Sequence, residues 1–160
     1  MVKIDLLQMN AGKARYKTEN MELVTRKIQF STKGNSEIIN LTDLVNAHLG
    51  DANSKSGLVH LFIGGATGGL TTLEYEPGLV NDLQQAFQRI APEEAEYCHN
   101  LTHDDRNGHS HIRASLIGPS LGVPFENAEL LLGKWQHIVF IDFDNRPRER
   151  EVIVQIIGGR

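Results

Sequence analysis

The run Trp135-Gln-His-Ile-Val-Phe-Ile-Asp-Phe143 is dominated by β-branched and aromatic residues. This composition predicts a β-strand. A second run of the same kind, residues 151–157, follows the charged segment Asp144–Arg150, which is typical of a solvated hairpin tip. Earlier runs at 22–31 and 57–63 have the same character and are also bounded by turn residues. Together they predict four strands of a largely antiparallel sheet.

Three segments between these strands carry helix signals, at 42–50, 77–90 and 110–116. Each combines apolar residues with a proline or a capping residue at its start. Thr42-Asp43 and Ser110 are the predicted N-caps of the first and the third segment. Short strands with two or three inserted helices predict an α+β fold with a largely antiparallel sheet or sandwich.

The composition sets the class of protein. A length of 160 residues suits a single domain, which we assign to residues 21–160, after a poorly patterned segment 1–20. The net charge of −4, with no cluster of Lys and Arg, does not suggest a nucleic-acid partner. No stretch approaches the ~20 apolar residues that a membrane span needs. Because Cys98 is the only cysteine, an internal disulfide is excluded and a reducing, cytoplasmic location is expected.

Four of the seven histidines lie in one short polar segment: His99, His103, His109 and His111. Imidazole is well suited to metal ligation and to proton transfer near neutral pH. On an extended strand, His109 and His111 would project from one face. His99 and His103 have helical spacing, although the surrounding Asn, Asp and Gly favour a loop. We therefore predict a functional site here. The alternative is a polar surface loop whose histidines only cap and hydrogen-bond.

The glycine-rich segment Gly64-Gly-Ala-Thr-Gly-Gly69 has the glycine separation of a nucleotide P-loop, but Leu70 occupies the position of the required Lys. Its backbone N–H groups can still bind a simple phosphate or pyrophosphate. The alternative is a bulge or hairpin turn between two strands. Glu74 follows at a predicted strand end, as a base, a metal ligand or a solvated carboxylate. The cations best placed in sequence to meet an anion are Arg113, Lys134, Arg146, Arg148 and Arg150.

Several motifs are similar to those of one known family. Ala66-Thr-Gly-Gly-Leu-Thr-Thr-Leu-Glu74 resembles its "Thr-Ser-Ala-x-Leu-Thr-x-x-Glu" stretch, and Tyr97-Cys-His99 resembles its Tyr-x-His. Ser110-His-Ile-Arg-Ala-Ser-Leu-Ile-Gly-Pro-Ser120 resembles its "Ser/Ala-His-Ile-Lys-x-Ser-x-x-Gly-x-Ser". In this order, over roughly residues 20 to 159, they identify a resemblance to the YjbQ-like family, also called the secondary thiamine-phosphate synthase family.

The resemblance implies an α+β fold, a homotrimer and a weak thiamine-phosphate synthase activity. This chain departs from the family pattern at two positions. Gly65 stands where many members have a His, so His103 and His109 are natural substitutes for that group. Arg113 stands for a Lys, which keeps the charge but changes its geometry.

We therefore expect a small enzyme that acts on a phosphorylated metabolite and releases pyrophosphate. The expected catalytic residues are His99, His111 and Glu74. The expected ligand-binding residues are Thr67, Gly68, Gly69, Arg113 and Ser115. A divalent metal, Zn or Mg, is expected on His99 and His111, with His103 and His109 as further ligands. The alternatives are a metal-dependent hydrolase or lyase that uses the same His/Glu set, and a non-catalytic trimer that binds a metabolite.

Overall fold

Eight strands in two antiparallel sheets form the framework of the computed structural model, which describes residues 21–159. The five-stranded sheet has the order β1-β8-β3-β5-β6, and the three-stranded sheet has the order β2-β7-β4. The strands are β1 (Met21–Thr32), β2 (Glu37–Asn40), β3 (Ser56–Ile63), β4 (Gly68–Leu73), β5 (Ser120–Glu126), β6 (Glu129–Leu130), β7 (His137–Asp142) and β8 (Arg148–Gly159).

Three helices accompany the sheets: α1 (Thr42–Gly50), α2 (Pro77–Ile90) and α3 (Gly108–Ile117). A short 3₁₀ turn, Cys98–Leu101, precedes α3. The predicted α+β class, the antiparallel sheets and the four predicted strands are confirmed. None of the helices in the described part of the chain is long and apolar enough to cross a membrane. The expectation for segment 1–20 lies outside the described residues.

Strand β7 lies in the middle layer of the fold, with both of its faces buried. Ile138 and Phe140 belong to the core between the two sheets, which also includes residues of α1. Val139 and Ile141 face the other way, into a second core with Phe87 of α2 and residues of α3. Each fully buried side chain of this size contributes about 1.5–3 kcal/mol relative to exposure. The layers are therefore the five-stranded sheet, the three-stranded sheet, and the pair α2 and α3.

The charged segment after β7 is not the solvated hairpin tip that the sequence predicts. Strands β7 and β8 belong to different sheets, so the segment carries the chain from one layer to the other. Asp144 in this segment and Asp142 just before it are both fully buried. Their carboxylates are bonded to Arg150 and Arg148, and this pairing is what permits charged groups at the core.

Two predicted helix caps are wrong for the same reason, because both hydroxyls bond to β-structure instead. Thr42 is the first residue of α1, and its Oγ1 accepts the N–H of Ile138 at 2.9 Å. Asn40 caps the helix start by accepting the Thr42 N–H at 2.9 Å. Ser110 lies inside α3, which begins at Gly108, and its hydroxyl donates to the carbonyl of Phe143 at 2.5 Å.

The glycine turn, residues 64–69, connects β3 of one sheet to β4 of the other, so it is a crossover and not a hairpin. Two of its glycines are required by close packing. A Cβ on Gly68 would lie 2.7 Å from the ring of Phe140. A Cβ on Gly69 would lie 2.7 Å from the side chain of Ile117. The turn is thereby pressed against both the core and α3.

We predict that Gly68→Ala lowers the free energy of unfolding by about 1–3 kcal/mol, since the new methyl group overpacks the Phe140 ring. Urea unfolding measures this loss. Gly64→Ala is the matched control in the same turn, because a Cβ at Gly64 meets no atom within 4 Å. It should change the stability by less than about 0.5 kcal/mol. Equal effects of the two substitutions would contradict this packing.

Candidate functional site

The four clustered histidines separate into a surface group of three and one buried ring. His109 and His111 lie on α3 and not on a strand. Two residues along a helix are rotated by about 200° from each other, so these rings face opposite ways. His109 is buried, whereas His111 is half-buried at the surface. The expected shared face of this pair is therefore wrong.

His99, His103 and His111 form the surface group, which we call the histidine cluster. The rings of His99 and His103 are stacked with centroids 4.4 Å apart and an interplanar angle of 9°. The ring of His111 meets His99 edge-on at 4.6 Å. Nε2 of His99 is buried, forms no hydrogen bond among the described residues, and lies 3.7 Å from a carboxylate oxygen of Asp105. The cluster thus combines accessible imidazoles with one buried nitrogen that has no hydrogen-bond partner there.

A small cavity of about 180 Å³ brings the glycine turn and α3 together. Ligand sites for whole metabolites usually measure ~300–1,000 Å³, so this cavity suits one phosphoryl group with the rest of a ligand outside. Within residues 21–159, the backbone N–H groups of Gly64, Gly65 and Ala66 donate no hydrogen bond. The lining residues are Gly65, Ala66, Gly68, His111, Ala114, Ser115 and Pro119.

Close packing between the turn and α3 fixes this cavity. The N–H of Leu70 donates to the carbonyl of Gly118 at 3.1 Å, and the N–H of Ile63 donates to that of Pro119 at 2.9 Å. Ser115 donates its hydroxyl to the carbonyl of His111 at 2.8 Å, one turn earlier in α3. His111 and Ser115 are therefore held on the helix face that the turn covers.

His109 lies behind α3, away from the cavity side of the helix. Its Nε2 lies 3.2 Å from the Ser110 hydroxyl, and its buried Nδ1 has no hydrogen-bond partner among the described residues. Burial lowers the pKa of His109, and the positive charge of Arg113 lowers it further, against the opposing effects of Glu93 and Asp144. His109 is therefore neutral near pH 7, and because it lies on the other side of α3 from His111, it does not join His99 and His111 around one ion within a single chain.

Arg113 is 1% exposed, and its guanidinium points into the protein. Nε and Nη2 donate to the carbonyl of Ala91 at 3.0 and 2.8 Å, and Nη1 donates to Ser36 Oγ at 3.0 Å. Burial lowers the pKa of Arg113, which Glu93 and Tyr97 partly offset. Since arginine stays protonated even so, it serves as a charged clamp between the end of α2 and the Ser36 turn. The expected phosphate contact of Arg113 does not fit this geometry.

Two further expected site residues have other surroundings than the sequence suggested. Thr67 is buried, and its hydroxyl donates to Asp144 at 3.3 Å and accepts from Arg150 at 3.0 Å. Glu74 is exposed just beyond β4, at the opposite end of that strand from the glycine turn. Six residues of strand separate Gly68 from Glu74 by about 20 Å. Within one chain, therefore, Glu74 does not converge with His111, and its expected role requires a neighbouring subunit.

Sequence reasoning missed a buried network of charges beside the turn. Asp142 accepts from Arg150 Nε and Nη2, both at 2.6 Å, and from the hydroxyl of Thr32 at 2.5 Å. Asp144 accepts from Arg148 Nε at 2.5 Å. Burial alone would raise the pKa of Asp144, but the hydrogen bond and charge of Arg148 hold it below its usual range. The sequence did contain a signal for this network, because an Asp-x-Asp pair directly follows an unbroken apolar run.

The described residues provide two donors for a metal ion, His99 and His111, which is fewer than a complete set of metal ligands. Across residues 21–159, no group of three or more His, Cys, Asp or Glu side chains is arranged to hold an ion. The stacked rings of His99 and His103 do not aim their nitrogens at one point. His99 Nε2 and His111 remain the pair best suited to Zn²⁺, whose further ligands would have to come from another molecule.

Larger cavities lie elsewhere in the described part of the chain. One of about 360 Å³ is lined largely by apolar residues at an end of the five-stranded sheet, including Met21 and Phe125. Another of about 650 Å³ lies against residues 95–106 and has polar lining residues, among them Asn100 and Arg106. A third of about 250 Å³ is lined by Gln29, Glu149, Arg150 and Glu151. None of these three includes residues of the glycine turn or of α3. The cavity between the turn and α3 is therefore the candidate site.

Comparison with known proteins gives one consistent family. The model of the family described as "UPF0047 protein YjbQ-like" matches residues 26–159. A UPF0047 protein of Methanothermobacter thermautotrophicus is 33% identical over 138 residues, which are 86% of this chain and 94% of that protein. A UPF0047 protein of Bacillus subtilis is 32% identical over 135 residues, 83% of this chain and 98% of that protein.

Solved structures show the same similarity. A YbjQ-like protein of unknown function from Sulfolobus solfataricus matches with a TM-score of 0.82 and 28% identity, over 86% of this chain and 99% of that one. An uncharacterized conserved protein from Clostridium acetobutylicum matches with a TM-score of 0.71 and 32% identity, over 81% of this chain and 99% of that one.

We predict that His109 makes the protein less stable in acid. Because the folded-state pKa of His109 lies below the unfolded value of 6.5, the unfolded chain binds this proton more readily. The free energy of unfolding then has its full value above about pH 6.5. It falls as the pH drops toward the folded-state pKa of His109. Melting temperatures between pH 7.5 and 5 should decline more steeply for the wild type than for His109→Gln. Parallel pH profiles of the two proteins would contradict the assignment.

We predict that Arg113→Met lowers the free energy of unfolding by about 2–5 kcal/mol, because it leaves the Ala91 carbonyl and the Ser36 hydroxyl without their charged donor. Arg146→Met, on the exposed part of the segment after β7, is the matched control and should be nearly neutral. Urea unfolding distinguishes them. Unchanged stability combined with weakened pyrophosphate binding in Arg113→Met would instead make Arg113 a ligand-binding residue.

Proposed function

We propose that this chain, which belongs to the UPF0047, YjbQ-like family, is a small enzyme acting on a phosphorylated metabolite. One observation carries the proposal: the glycine turn, His111 and Ser115 line one cavity of phosphoryl size. Anion donors and a proton-transfer group thus lie within the span of one ligand.

Phosphate binding rests on the donors of the turn and of α3. The N–H groups of Gly65 and Ala66, which line the cavity and donate to no protein acceptor among the described residues, are available to phosphate oxygens. The Ser115 hydroxyl lies on the opposite wall and can rotate from the His111 carbonyl toward a stronger, charged acceptor. Because the turn is fixed by packing, its N–H groups need little reorganisation when an anion binds.

Proton transfer is assigned to the histidine cluster. His111 lines the cavity and meets His99 edge-on, so a proton accepted at one ring lies close to the next. Imidazole exchanges protons near neutral pH, and a positioned general acid or base contributes typically 10²–10⁴-fold to a rate. His111 is the group we assign to contact the substrate, and His99 is its positioning partner.

The reaction that we propose to test first is thiamine-phosphate synthesis. The thiazole nitrogen of one phosphorylated substrate forms a C–N bond to the methylene carbon of hydroxymethylpyrimidine diphosphate. The C–O bond to the diphosphate breaks, and its electron pair leaves with pyrophosphate. N–H donors of the turn would stabilise that charge, and a protonated histidine would supply a proton to the leaving group. Mg²⁺, if bound by the diphosphate, would neutralise further charge.

A metal-dependent hydrolase or lyase is the second candidate. It is favoured by the buried Nε2 of His99, which has no hydrogen-bond partner among residues 21–159 and lies 3.7 Å from Asp105. Zn²⁺ on His99 and His111 would lack ligands within the described part of the chain. We propose that a homotrimer supplies them, with Glu74 of a neighbouring subunit at the cavity. Loss of activity in a chelator, with recovery on adding Zn²⁺, would favour this candidate over metal-free catalysis.

We predict that His111→Ala lowers turnover at least ~100-fold while changing the melting temperature little, since His111 is half-buried at the surface. The measurement is pyrophosphate release from hydroxymethylpyrimidine diphosphate and thiazole phosphate. His48→Ala, on α1 and outside the cavity, is the control and should retain activity. Pyrophosphate binding by a wild type that shows no turnover would indicate a binding protein. Full activity in His111→Ala would exclude His111 from the chemistry.

A further inference from the structure

The outer face of the five-stranded sheet carries a row of apolar side chains that crosses four strands. Alternate residues of these strands, such as Val59 and Ile156, belong to the core between the two sheets, so the residues next to them point outward. The strand register aligns four outward residues, which we call the apolar row: Leu23 of β1, Ile157 of β8, Leu58 of β3 and Pro124 of β5. Because neighbouring strands lie ~4.8 Å apart, the row is about 14 Å long.

The apolar row is open in the part of the chain that the structure describes. Leu23 is 61% exposed, Leu58 is 39% exposed and Ile157 is 37% exposed. The neighbouring row on one side is polar and consists of Thr25, Gln155, His60 and Gly122. A contiguous exposed apolar surface with a polar border is typical of an interaction site.

On its other side, the apolar row borders the cavity of about 360 Å³ at the end of the sheet, which we call the sheet-end cavity. Pro124 belongs to the row and also lines the cavity. Met21, the first residue of β1, lines it as well. Gly159 lies between Met21 and Ser56 in the register and has no side chain to separate them. The row and the cavity thus form one surface, at the point where the chain enters β1.

The segment that precedes β1 has the composition to cover this surface. Val2, Ile4 and Leu6 alternate with polar or charged residues, so an extended chain would present these three side chains on one side. The family model matches residues 26–159, so this segment lies outside the part of the chain shared with the family. Six of its first nine residues are apolar: Met1, Val2, Ile4, Leu6, Leu7 and Met9.

Residues 10–20 connect this apolar stretch to Met21, and their length allows it to reach the whole surface. Eleven residues span up to about 36 Å when extended. The apolar row is less than half as long. The stretch can therefore lie along the row and still enter the cavity.

The charges of residues 10–20 complement those at the rim of the cavity. Glu126 lines the cavity and pairs with Glu129 across the turn between β5 and β6. Like charges directly opposite each other are unfavourable. Neither glutamate forms an ion pair within residues 21–159. Residues 10–20 contain one carboxylate, Glu19, and three cations, Lys13, Arg15 and Lys17.

We propose that residues 1–9 bind in cis to the apolar row and the sheet-end cavity, with the cations of residues 10–20 close to Glu126 and Glu129. A short tether gives a segment an effective concentration in the millimolar range. This favours the chain's own segment over a second copy or a small apolar ligand. The bound segment keeps the apolar row from associating with other molecules. The proposal is independent of the proposed function, because the glycine turn follows the opposite end of β3.

The test attaches a nitroxide spin label to the full chain at Gln8→Cys. A Cys98→Ser background leaves no other thiol, since Cys98 is the only cysteine. The label broadens the ¹⁵N–H signals of residues close to it, and the same label in its reduced, diamagnetic form gives the reference. The signals of Leu58 and Ile157 should be lost, whereas that of Asp82, on α2 in the opposite layer, should stay sharp.

A matched pair of variants separates binding from mere tethering. Replacing Val2, Ile4 and Leu6 together by Ser removes the apolar side chains but keeps the tether. This variant should recover the signals of Leu58 and Ile157 and bind more of a fluorescent dye that recognises apolar surfaces. Replacing Lys3 and Asp5 by Ser is the control and should leave both signals broadened. Melting temperatures check that each variant is folded.

The outcomes decide who occupies the surface. Sharp Leu58 and Ile157 signals in the labelled parent overturn the proposal. Broadening that persists in the variant without the three apolar side chains also overturns it, because the tether alone then explains the effect. A mixture of spin-labelled ¹⁴N chains with label-free ¹⁵N chains detects binding between copies, and broadening in that mixture assigns the row to a second copy instead. Broadening within one chain that is lost only in the apolar variant supports the proposal.

Discussion

The paired charges of Asp142 and Arg150 connect the two sheets of the fold. Asp142 ends β7 in the three-stranded sheet, and Arg150 lies on β8 in the five-stranded sheet, so their contact joins the two layers. Buried ion pairs are weak evidence for net stability, because desolvation opposes their attraction. Breaking one by removing a partner is costly, however, since a charge is then left alone in the core. The pair therefore specifies how the sheets meet.

The same contacts locate the candidate site. Thr67 connects the glycine turn to both Asp144 and Arg150, so the turn is held against the charge network. On the other side, Ser110 anchors α3 to the carbonyl of Phe143, which directly follows β7. The turn and α3 are thus both anchored at the same end of β7, where they approach each other. The cavity between them is a consequence of how the layers are joined.

The sequence predicts the strands well and the charged groups poorly, for a physical reason. Residues 137–142 form a strand because their β-branched and aromatic side chains fit a buried, pleated surface. Whether a following charge is solvated depends on which sheet the next strand joins, and local patterns do not contain that information. The local sequence does not distinguish Arg113 from Arg150 as a residue that could bind an anion. Only the tertiary structure shows that every nitrogen of one has a protein partner, whereas Nη1 of the other does not among residues 21–159.

The central claim is that a tetrahedral oxyanion binds between the glycine turn and α3, and a crystal structure with tungstate tests it most directly. Tungstate mimics phosphate, and its metal atom gives a strong anomalous signal. One peak is expected in the cavity lined by Gly65, His111 and Ser115, with oxygens about 2.7–3.1 Å from the turn N–H groups. Tungstate bound elsewhere on the protein, with this cavity empty, would contradict it.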